Sequence, residues 1–421
     1  MRTLYELENE MTPRASRWFA GLFLLGWLVW MAGDWTLRFQ WYEWGTGLIS
    51  APGASVMSSE PPSVDAGLPL FTTNHVSASR GGDLSRLLGV RSLASRFEEF
   101  REAGVNVRDR DGYINRPYDV GSVPDVVVVG DSFMATGLMK DMFATRLADV
   151  SGLQVYNHAL MGHGPFVSVL KFIDNPRFHD RYPRVLIWGF AEREIGGDMF
   201  AGLVYQLAIR ANTGLQEDRA ATEEGGMPAT GVRVHWNELS PRLLKTSLPN
   251  SSMTAQAGAW LWNRVRYYLF GMINPEVVVS LPNESGEQSL FFRYHIETLR
   301  WSERVRDVSK VAWSIQYLHD WCSARDIHLI VLLIPEKEQV LQAWIPQAIK
   351  EQGPPIAPSP LPALEKALQE RNIHVVNMLP VFEEAISENK AVYWRDDTHW
   401  NPRGLRMAVD RVWTELQPLL E

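Results

Sequence analysis

Two short motifs, far apart in the chain, contain the residue types that acyl transfer needs. A GDS motif at 130–132 places Ser132 directly after the apolar run 125–129, and a DDTH motif at 396–399 ends in His399. A serine hydroxyl becomes nucleophilic when a base takes its proton, and an imidazole acts as that base when a carboxylate fixes its tautomer. The two motifs together predict Ser132 as a nucleophile and His399 as its base.

Two carboxylates precede the histidine closely enough to orient its ring. Asp397 lies two positions before His399 and Asp396 lies three positions before it, and the spacing alone leaves both open. The Asn401-Pro402 pair that follows is typical of a helix start. We therefore expect His399 on the loop before a closing helix. Taken alone, each motif has a structural alternative, a helix cap or a surface turn.

Acyl transfer also requires hydrogen-bond donors for the oxyanion of the tetrahedral intermediate. A serine at a strand-to-helix turn offers its own backbone N–H, because the first amides of a helix have no intrahelical acceptor. The turn at 157–164 follows the next apolar run and contains Gly162. We predict that the N–H groups of Ser132 and Gly162 form the oxyanion hole.

The elements that must position these residues follow an α/β pattern. Apolar runs predict strands at 125–129, 153–157, 184–189, 328–334 and 373–377, and helical patterns are found at 85–100, 133–149, 164–173, 301–323, 361–370 and 402–416. Short apolar strands that alternate with helices predict a parallel sheet covered on both faces. Residues 198–300 interrupt this alternation and are predicted to be a large insertion near the active-site loops.

Composition excludes several classes of function. The formal net charge of −8 gives no basis for nucleic-acid binding. The single cysteine, Cys322, rules out an internal disulfide framework. The sequence has no phosphate-binding or dinucleotide-binding glycine motif, and its histidines show no convincing metal-ligand spacing. We therefore expect neither a cofactor nor a metal.

The amino-terminal region predicts a membrane anchor. Residues 18–33 carry no charge, and extension to residue 37 gives about 20 residues, the length that spans a bilayer. Arginines at positions 2, 14 and 17 predict a cytoplasmic tail at 1–17. Residues 38–69 read as a linker and 70–421 as the exported catalytic domain. We expect a single span of a bacterial inner membrane, with the catalytic domain in the periplasm or outside. A cleaved signal peptide is the alternative, with small residues at 50–54.

The GDS motif, the Gly162 turn and the terminal DxxH resemble three motif blocks of the SGNH (GDSL-like) hydrolase superfamily. The resemblance covers roughly 105–195 and 310–415. It implies a flavodoxin-like, three-layer α/β/α sandwich with a parallel sheet. It also implies Ser132 as nucleophile, Gly162 as oxyanion donor and His399 as base.

One block departs from that superfamily, because residues 188–194 contain no Gly-x-Asn-Asp. Their Glu-Arg pair, with IPEKEQV at 334–340 and Thr-His-Trp at 398–400, resembles bacterial exopolysaccharide O-acetyltransferases of the alginate-acetylating kind. That resemblance slightly favours Asp397 as the orienting acid. A cation near Ser132 can stabilise the oxyanion or bind an acidic sugar, so we predict Arg193 as an oxyanion residue and Lys337, with Trp400, as substrate-binding residues. The alternative for Arg193 and Lys337 is a solvated or salt-bridged side chain.

The order of the motifs and the predicted anchor are more similar to the D-alanine transfer proteins of teichoic-acid modification. Both groups work beside a membrane-bound O-acyltransferase. The resemblances imply a membrane-anchored O-acyltransferase that transfers an acyl group, acetyl by resemblance, to a cell-surface or secreted polysaccharide. The alternatives are an esterase or deacetylase with the same serine site, and a non-catalytic subunit of polysaccharide assembly.

Overall fold

The computed structural model describes most of the carboxyl-terminal three quarters of the chain. The described residues are 71–119, 121–135, 137–161, 164–178, 181–195, 200, 202–207, 262, 264–301 and 307–420. The predicted tail, membrane anchor and linker, at 1–17, 18–37 and 38–69, lie outside them, as does most of the predicted insertion. No helix in the described part of the chain has the length and apolar character needed to cross a bilayer.

The chain divides into two compact units. One comprises Met1–Ser55 and Met227–Ile273, of which the structure describes residue 262 and a segment that begins at 264, helical over 264–270. The other comprises Val56–Gly226 and Asn274–Glu421 and contains every strand named below and every described residue of the candidate site.

The strands of the second unit are numbered in chain order. They are β1 (Phe71–Val76), β2 (Ser79–Arg80), β3 (Phe100–Arg101), β4 (Gly104–Asp109), β5 (Val126–Gly130), β6 (Val155–Asn157), β7 (Val185–Ala191), β8 (Val277–Val279), β9 (Leu290–Phe292), β10 (His328–Ile334) and β11 (His374–Asn377). Three antiparallel pairs, β1–β4, β2–β3 and β8–β9, stand apart from the main sheet.

The helices are numbered in the same way. They are α1 (Asp83–Leu88), α2 (Arg91–Ala94), α3 (Ser132–Ala135), α4 (Phe143–Ser151), α5 (Gly164–Ile173), α6 (Arg293–Thr298), α7 (Val308–Ser323), α8 (Lys337–Val340), α9 (Gln347–Lys350), α10 (Leu361–Gln369), α11 (Leu379–Ser387) and α12 (Pro402–Leu416).

The central sheet has five parallel strands in the order β11-β10-β7-β5-β6. Counted along the chain, this is the order 2-1-3-4-5 of flavodoxin-like sheets. The prediction of a parallel sheet is confirmed. All five strands end at one edge, and the winding reverses where β5 lies between β6 and β7. Ligands of open α/β sheets bind at the carboxyl end of such a switch point.

Both faces of this sheet are covered, which explains why its strands read as continuous apolar runs. In β5, Val127 and Val129 face one buried cluster, which contains residues of α5, α7 and α10. Val126 and Val128 face the other, which contains residues of α3, α4, α11 and α12. Helices on both faces of a parallel sheet fit the predicted three-layer sandwich.

Several predicted helices differ in extent from those observed. The helix expected at 85–100 is two short helices, because Gly89 takes a left-handed conformation with φ of 72° and ends α1. The helix expected at 133–149 is interrupted between Ala135 and Phe143. The helix expected from residue 301 begins at Val308, with 302–306 outside the described residues. The sequence patterns do not predict α6, α8, α9 or α11.

Candidate active site

Ser132 stands at the switch point, on the sharp turn between β5 and α3. Gly130 ends β5 with φ of 153°, and a Cβ at this position would lie 2.3 Å from the carbonyl oxygen of Gly189 on the adjacent strand. Only glycine fits this turn. Asp131 then accepts the N–H of Phe133 at 2.9 Å, which fixes the first turn of the helix. Half-buried Ser132 is therefore held at the carboxyl edge of the sheet.

His399 reaches this edge from the other end of the chain. Asn401 caps α12 by accepting the N–H groups of Arg403 and Gly404 at 2.9 and 3.1 Å, so the predicted helix start is confirmed. The loop before it places His399 Nε2 2.9 Å from Ser132 Oγ, across 267 positions of sequence. The structure thus brings together the two residues on which the sequence argument depends, at a distance suited to proton transfer.

Asp397 is the carboxylate that contacts the imidazole. Its Oδ1 lies 2.7 Å from His399 Nδ1 and also accepts the backbone N–H of His399 at 3.1 Å. A carboxylate at Nδ1 holds the proton on that nitrogen and leaves Nε2 free to accept the serine proton. Ser132, His399 and Asp397 therefore form a continuous hydrogen-bonded relay.

Asp396, the alternative that the spacing left open, turns away from His399. Its carboxylate is paired with Arg101, with oxygen-to-nitrogen distances of 2.8 and 3.2 Å, and accepts the N–H groups of Gly82 and Glu99 at 2.9 and 3.0 Å. Neighbouring side chains on this loop project in different directions, so only one of the two carboxylates can meet the ring. The prediction of Asp396 as orienting acid is wrong, and its role is to anchor the loop.

The amino-terminal segment, defined as residues 79–101, holds the triad acid in place. Oδ2 of Asp397 accepts the backbone N–H of Asp83 at 3.2 Å and lies 3.3 Å from Nη2 of Arg101. Gly82 makes this approach possible, since a Cβ there would lie 2.6 Å from Asp397 Oδ2 and 2.4 Å from the Asp396 carbonyl oxygen. Sequence reasoning missed these residues, because their spacing carries no catalytic pattern.

Asp83 is a second carboxylate beside the imidazole. It accepts the hydroxyl and the backbone N–H of Thr398, at 2.6 and 3.0 Å, and its Oδ2 lies 3.9 Å from His399 Nδ1. Burial raises the pKa of Asp83, and the nearby charge of Asp397 raises it further. Asp83 therefore fixes the residue next to His399 and contributes to the electrostatic field at the ring.

The charges around the relay shift the pKa values in the direction that a general base requires. Burial opposes protonation of His399, but the hydrogen bond and charge of Asp397, with the charge of Asp83, outweigh it and raise its pKa. Burial would raise the pKa of Asp397, yet the hydrogen bond and charge of His399, with the charge of Arg101, hold it far below its usual value. Asp397 thus stays ionised and stabilises the imidazolium form of His399.

Lys337 and Trp400 do not line a substrate site, which corrects both predictions. The Lys337 side chain is fully buried and donates to the carbonyls of Leu290, Trp394, Arg395 and Asp397, at 2.7 to 3.1 Å. It secures the loop that carries the triad acid. Trp400 is 5 % exposed and packs edge-on against Phe133 in the core. An ammonium bound by carbonyls and an indole among aromatic rings are both unavailable to a ligand.

Arg193 lies close to the nucleophile but is held by carboxylates. It follows β7, with its guanidinium 2.9 Å from Glu336, 3.4 Å from Glu194 and 3.8 Å from Asp131. Burial lowers its pKa, and these carboxylates more than compensate, so that the group stays charged. Its predicted contact with the oxyanion stays a prediction. Gly162 lies outside the described residues, so its N–H as second oxyanion donor also stays a prediction.

Two groups of side chains in the described ranges have the donor types and spacing of a metal site. One is Asp83, Asp397 and His399. In this group Asp397 and His399 are hydrogen-bonded to each other in the relay, and Asp83 accepts the hydroxyl of Thr398. The other, His295 with Glu336 and Glu338, is fully buried and does not touch Ser132 through any described contact.

A serine-histidine-aspartate relay at the switch point of a sheet in flavodoxin order defines an SGNH hydrolase-like protein. The chain belongs to the family of the SGNH hydrolase-like domain of the acetyltransferase AlgX, whose family model matches residues 39–192 and 291–421. The predicted relationship to the SGNH superfamily, and within it to alginate-acetylation proteins, is confirmed. The match leaves out residues 193–290.

Two solved structures illustrate how far the likeness to known structures extends. The O-acetyltransferase domain of Pseudomonas putida AlgJ is 25% identical over 28% of this chain and 39% of that chain, with a TM-score of 0.20. This chain therefore covers well under half of the length of that structure. A second crystal structure is 11% identical over 71% of this chain and 99% of that chain, with a TM-score of 0.29. No curated protein sequence matches this chain.

Proposed function

We propose that this protein is a membrane-anchored O-acyltransferase that acetylates a cell-surface or secreted polysaccharide through an acyl-serine intermediate on Ser132. The hydrogen-bonded relay is the main support for this proposal. Ser132 Oγ lies 2.9 Å from His399 Nε2, and His399 Nδ1 lies 2.7 Å from Asp397 Oδ1. Membership of the AlgX acetyltransferase family supports acetyl as the acyl group.

The first half-reaction loads the acyl group onto the enzyme. Ser132 Oγ attacks the carbonyl carbon of an acyl donor while its proton passes to His399 Nε2. The carbonyl oxygen becomes an oxyanion that accepts a hydrogen bond from the Ser132 N–H, with Gly162 and Arg193 as the further candidates. As the tetrahedral intermediate collapses, His399 returns the proton to the leaving group, and the ester to Ser132 remains.

The second half-reaction passes the acyl group to a sugar hydroxyl. His399, again neutral, removes the proton of the acceptor hydroxyl, whose oxygen attacks the acyl carbon. The serine oxygen leaves and recovers the proton from His399. Asp397 stays ionised throughout and stabilises the imidazolium formed in both transition states. Whether water or a sugar occupies the acceptor position decides between hydrolysis and transfer.

The setting of the reaction is part of the proposal. The apolar stretch at 18–37, uncharged from 18 to 33, would anchor the chain by one span of a bacterial inner membrane, with the catalytic domain in the periplasm or outside the cell. A membrane-bound O-acyltransferase would deliver the acyl group, as in the groups of proteins that the sequence resembles. The proposal includes no cofactor.

A serine-reactive fluorophosphonate probe tests the nucleophile. The full-length chain should be labelled, and Ser132→Ala should abolish the labelling while Ser92→Ala, a change at an exposed serine, leaves it intact. Absence of labelling in the folded wild-type chain would favour a non-catalytic assembly subunit instead.

Acceptor dependence separates a transferase from an esterase. The purified chain is incubated with an acetyl-ester donor, with and without an oligosaccharide, and acetylated sugar and free acetate are measured by mass spectrometry. Transfer predicts acetylated sugar that requires both the oligosaccharide and Ser132. Release of acetate alone, at every acceptor concentration, would identify a hydrolase with the same site.

A further inference from the structure

A buried cluster of one histidine and two glutamates lies beside the candidate site. His295 belongs to α6. Glu336 lies just before α8, and Glu338 lies in the first turn of α8. His295 is 6 % exposed and both glutamates are 0 % exposed. His295 Nδ1 is 3.3 Å from Glu336 Oε2 and 3.4 Å from Glu338 Oε2, and the three atoms lie within 4.8 Å of one another.

Two atoms of the cluster, one on His295 and one on Glu338, lack a well-formed hydrogen bond. Among the described residues, His295 Nδ1 and Glu338 Oε2 have no hydrogen-bond partner of suitable geometry. Glu338 Oε1 accepts the N–H of Phe292 at 2.8 Å, and this bond directs Oε2 towards the imidazole. A buried carboxylate oxygen without a well-formed hydrogen bond is costly, and a cation between these two atoms, which lie 3.4 Å apart, would interact with both.

The spacing of the cluster fits a tetrahedral cation. Zinc binds imidazole nitrogen and carboxylate oxygen at about 2.0 to 2.2 Å, which places neighbouring ligand atoms about 3.3 to 3.6 Å apart. The two nitrogen-to-oxygen distances measured from His295 Nδ1 agree with the short end of that range. A single ion between the three atoms would satisfy the imidazole lone pair and both carboxylates at once.

The charges around the cluster also favour a cation. Asp131, Glu192, Glu336 and Glu338 are all buried, and Glu194 is nearly so. The guanidinium of Arg193 donates to Glu336 Oε1 at 2.9 Å and not to the Oε2 atom that lies near His295. The ammonium of Lys337 donates to backbone carbonyls rather than to these carboxylates. The local charge is therefore strongly negative, and a divalent ion would offset it better than an imidazolium would.

We propose that His295 Nδ1, Glu336 Oε2 and Glu338 Oε2 form a structural binding site for a divalent transition-metal ion of the zinc type. The ion links α6, which lies within the last residues of the predicted insertion, to α8, which follows β10. It stabilises the start of α8, from which Lys337 donates to the backbone carbonyl of Asp397, and it takes no part in acyl transfer. The proposal is independent of the proposed function.

Metal content and thermal stability test the site in the full-length chain, purified in detergent without chelator. Elemental analysis should give about one zinc per chain. Removal by a chelator should lower the melting temperature, and added zinc, at a hundredfold excess over its Kd, should restore about 4 °C. Magnesium and calcium should not restore it, because imidazole ligation favours zinc.

Three variants assign the ion to this cluster. Glu338→Gln keeps the side-chain shape and the acceptor for Phe292 but should weaken zinc binding more than tenfold, measured by competition with a chromogenic chelator. The matched control Glu287→Gln changes an exposed glutamate and should bind zinc like the wild type. His399→Ala should retain the ion, which separates this site from the catalytic relay.

Three results would overturn the proposal. The first is a wild-type chain that contains no zinc and whose melting temperature changes with neither chelator nor added zinc. That result would indicate that His295 is a protonated imidazolium paired with the two glutamates. The second is zinc binding that is unchanged in Glu338→Gln. The third is loss of the ion in folded His399→Ala. None of these readouts depends on activity, so they leave the proposed acyl transfer unaffected.

Discussion

The two neighbouring aspartates of the terminal motif should separate catalysis from stability. Asp397→Asn removes the charged partner of His399 Nδ1 and leaves Asp396 paired with Arg101. Asp396→Asn removes the carboxylate that Arg101 and two backbone N–H groups bind and leaves Asp397 on the ring. The first change should reduce turnover, and the second should reduce the free energy of unfolding.

The magnitudes follow from the contacts. With a 2.7 Å hydrogen bond, the charge centres of Asp397 and an imidazolium lie about 4 Å apart, which at an effective dielectric of about 20 stabilises the ion pair by about 4 kcal/mol. Losing that in the transition state lowers kcat about 10³-fold, and loss of the correct tautomer extends this towards about 10⁴-fold. Removing one partner of the buried Asp396 pair costs about 3 to 5 kcal/mol.

The assay combines kinetics with unfolding on the same preparations. Acetyl release from an activated acetate ester gives kcat, and urea unfolding followed by tryptophan fluorescence gives the free energy of unfolding. We expect Asp397→Asn to be folded and nearly inactive, and Asp396→Asn to be much less stable but active at low temperature. A folded, inactive Asp396→Asn beside an active Asp397→Asn would refute the assignment of the orienting acid.

Three further predictions concern the residues that surround the relay. Since only neutral His399 acts as base, kcat/KM should rise with pH through the raised pKa of His399. Asp83→Asn should lower that pKa, so that a pH–rate profile shows the rise at lower pH. An unchanged profile would exclude an effect of Asp83 on the His399 ring. Gly82→Ala should lower kcat at least about tenfold, since its Cβ would displace Asp397, whereas Gly202→Ala, with no atom within 4 Å of its Cβ, should not. Lys337→Met leaves four buried carbonyls without their donor, so urea unfolding should show a loss of about 2 to 4 kcal/mol, against no loss in the exposed control Lys366→Met.

The sequence predicts the central architecture well, because its signals there are local. Uninterrupted apolar runs identify β5, β7 and β10, and the Asn401-Pro402 pair identifies the start of α12. Once the strands are parallel, their carboxyl ends share an edge. The meeting of Ser132 and His399 then follows from the position of each motif directly after a strand or directly before a helix.

The sequence predicts the surroundings of the site less well, because they depend on contacts between distant segments. Gly82 and Arg101 reach the terminal loop across 314 and 295 positions, and no periodicity signals such pairs. Lys337 reads as a surface cation until four carbonyls are seen to converge on it. Trp400 follows His399 and looks like a surface on which a sugar ring could stack, yet its packing against the rings of Phe133 and Phe143 places it in the core.

The contacts between residues 79–101 and the terminal loop have a consequence for how this protein can be shortened. A fragment that starts at the first strand of the sheet would still include Ser132, His399 and Asp397. It would lack Gly82, Asp83 and Arg101, and with them the amides and guanidinium that fix both aspartates. The smallest active piece should therefore start before residue 79, and truncation series designed on the sheet alone should yield soluble but inert protein.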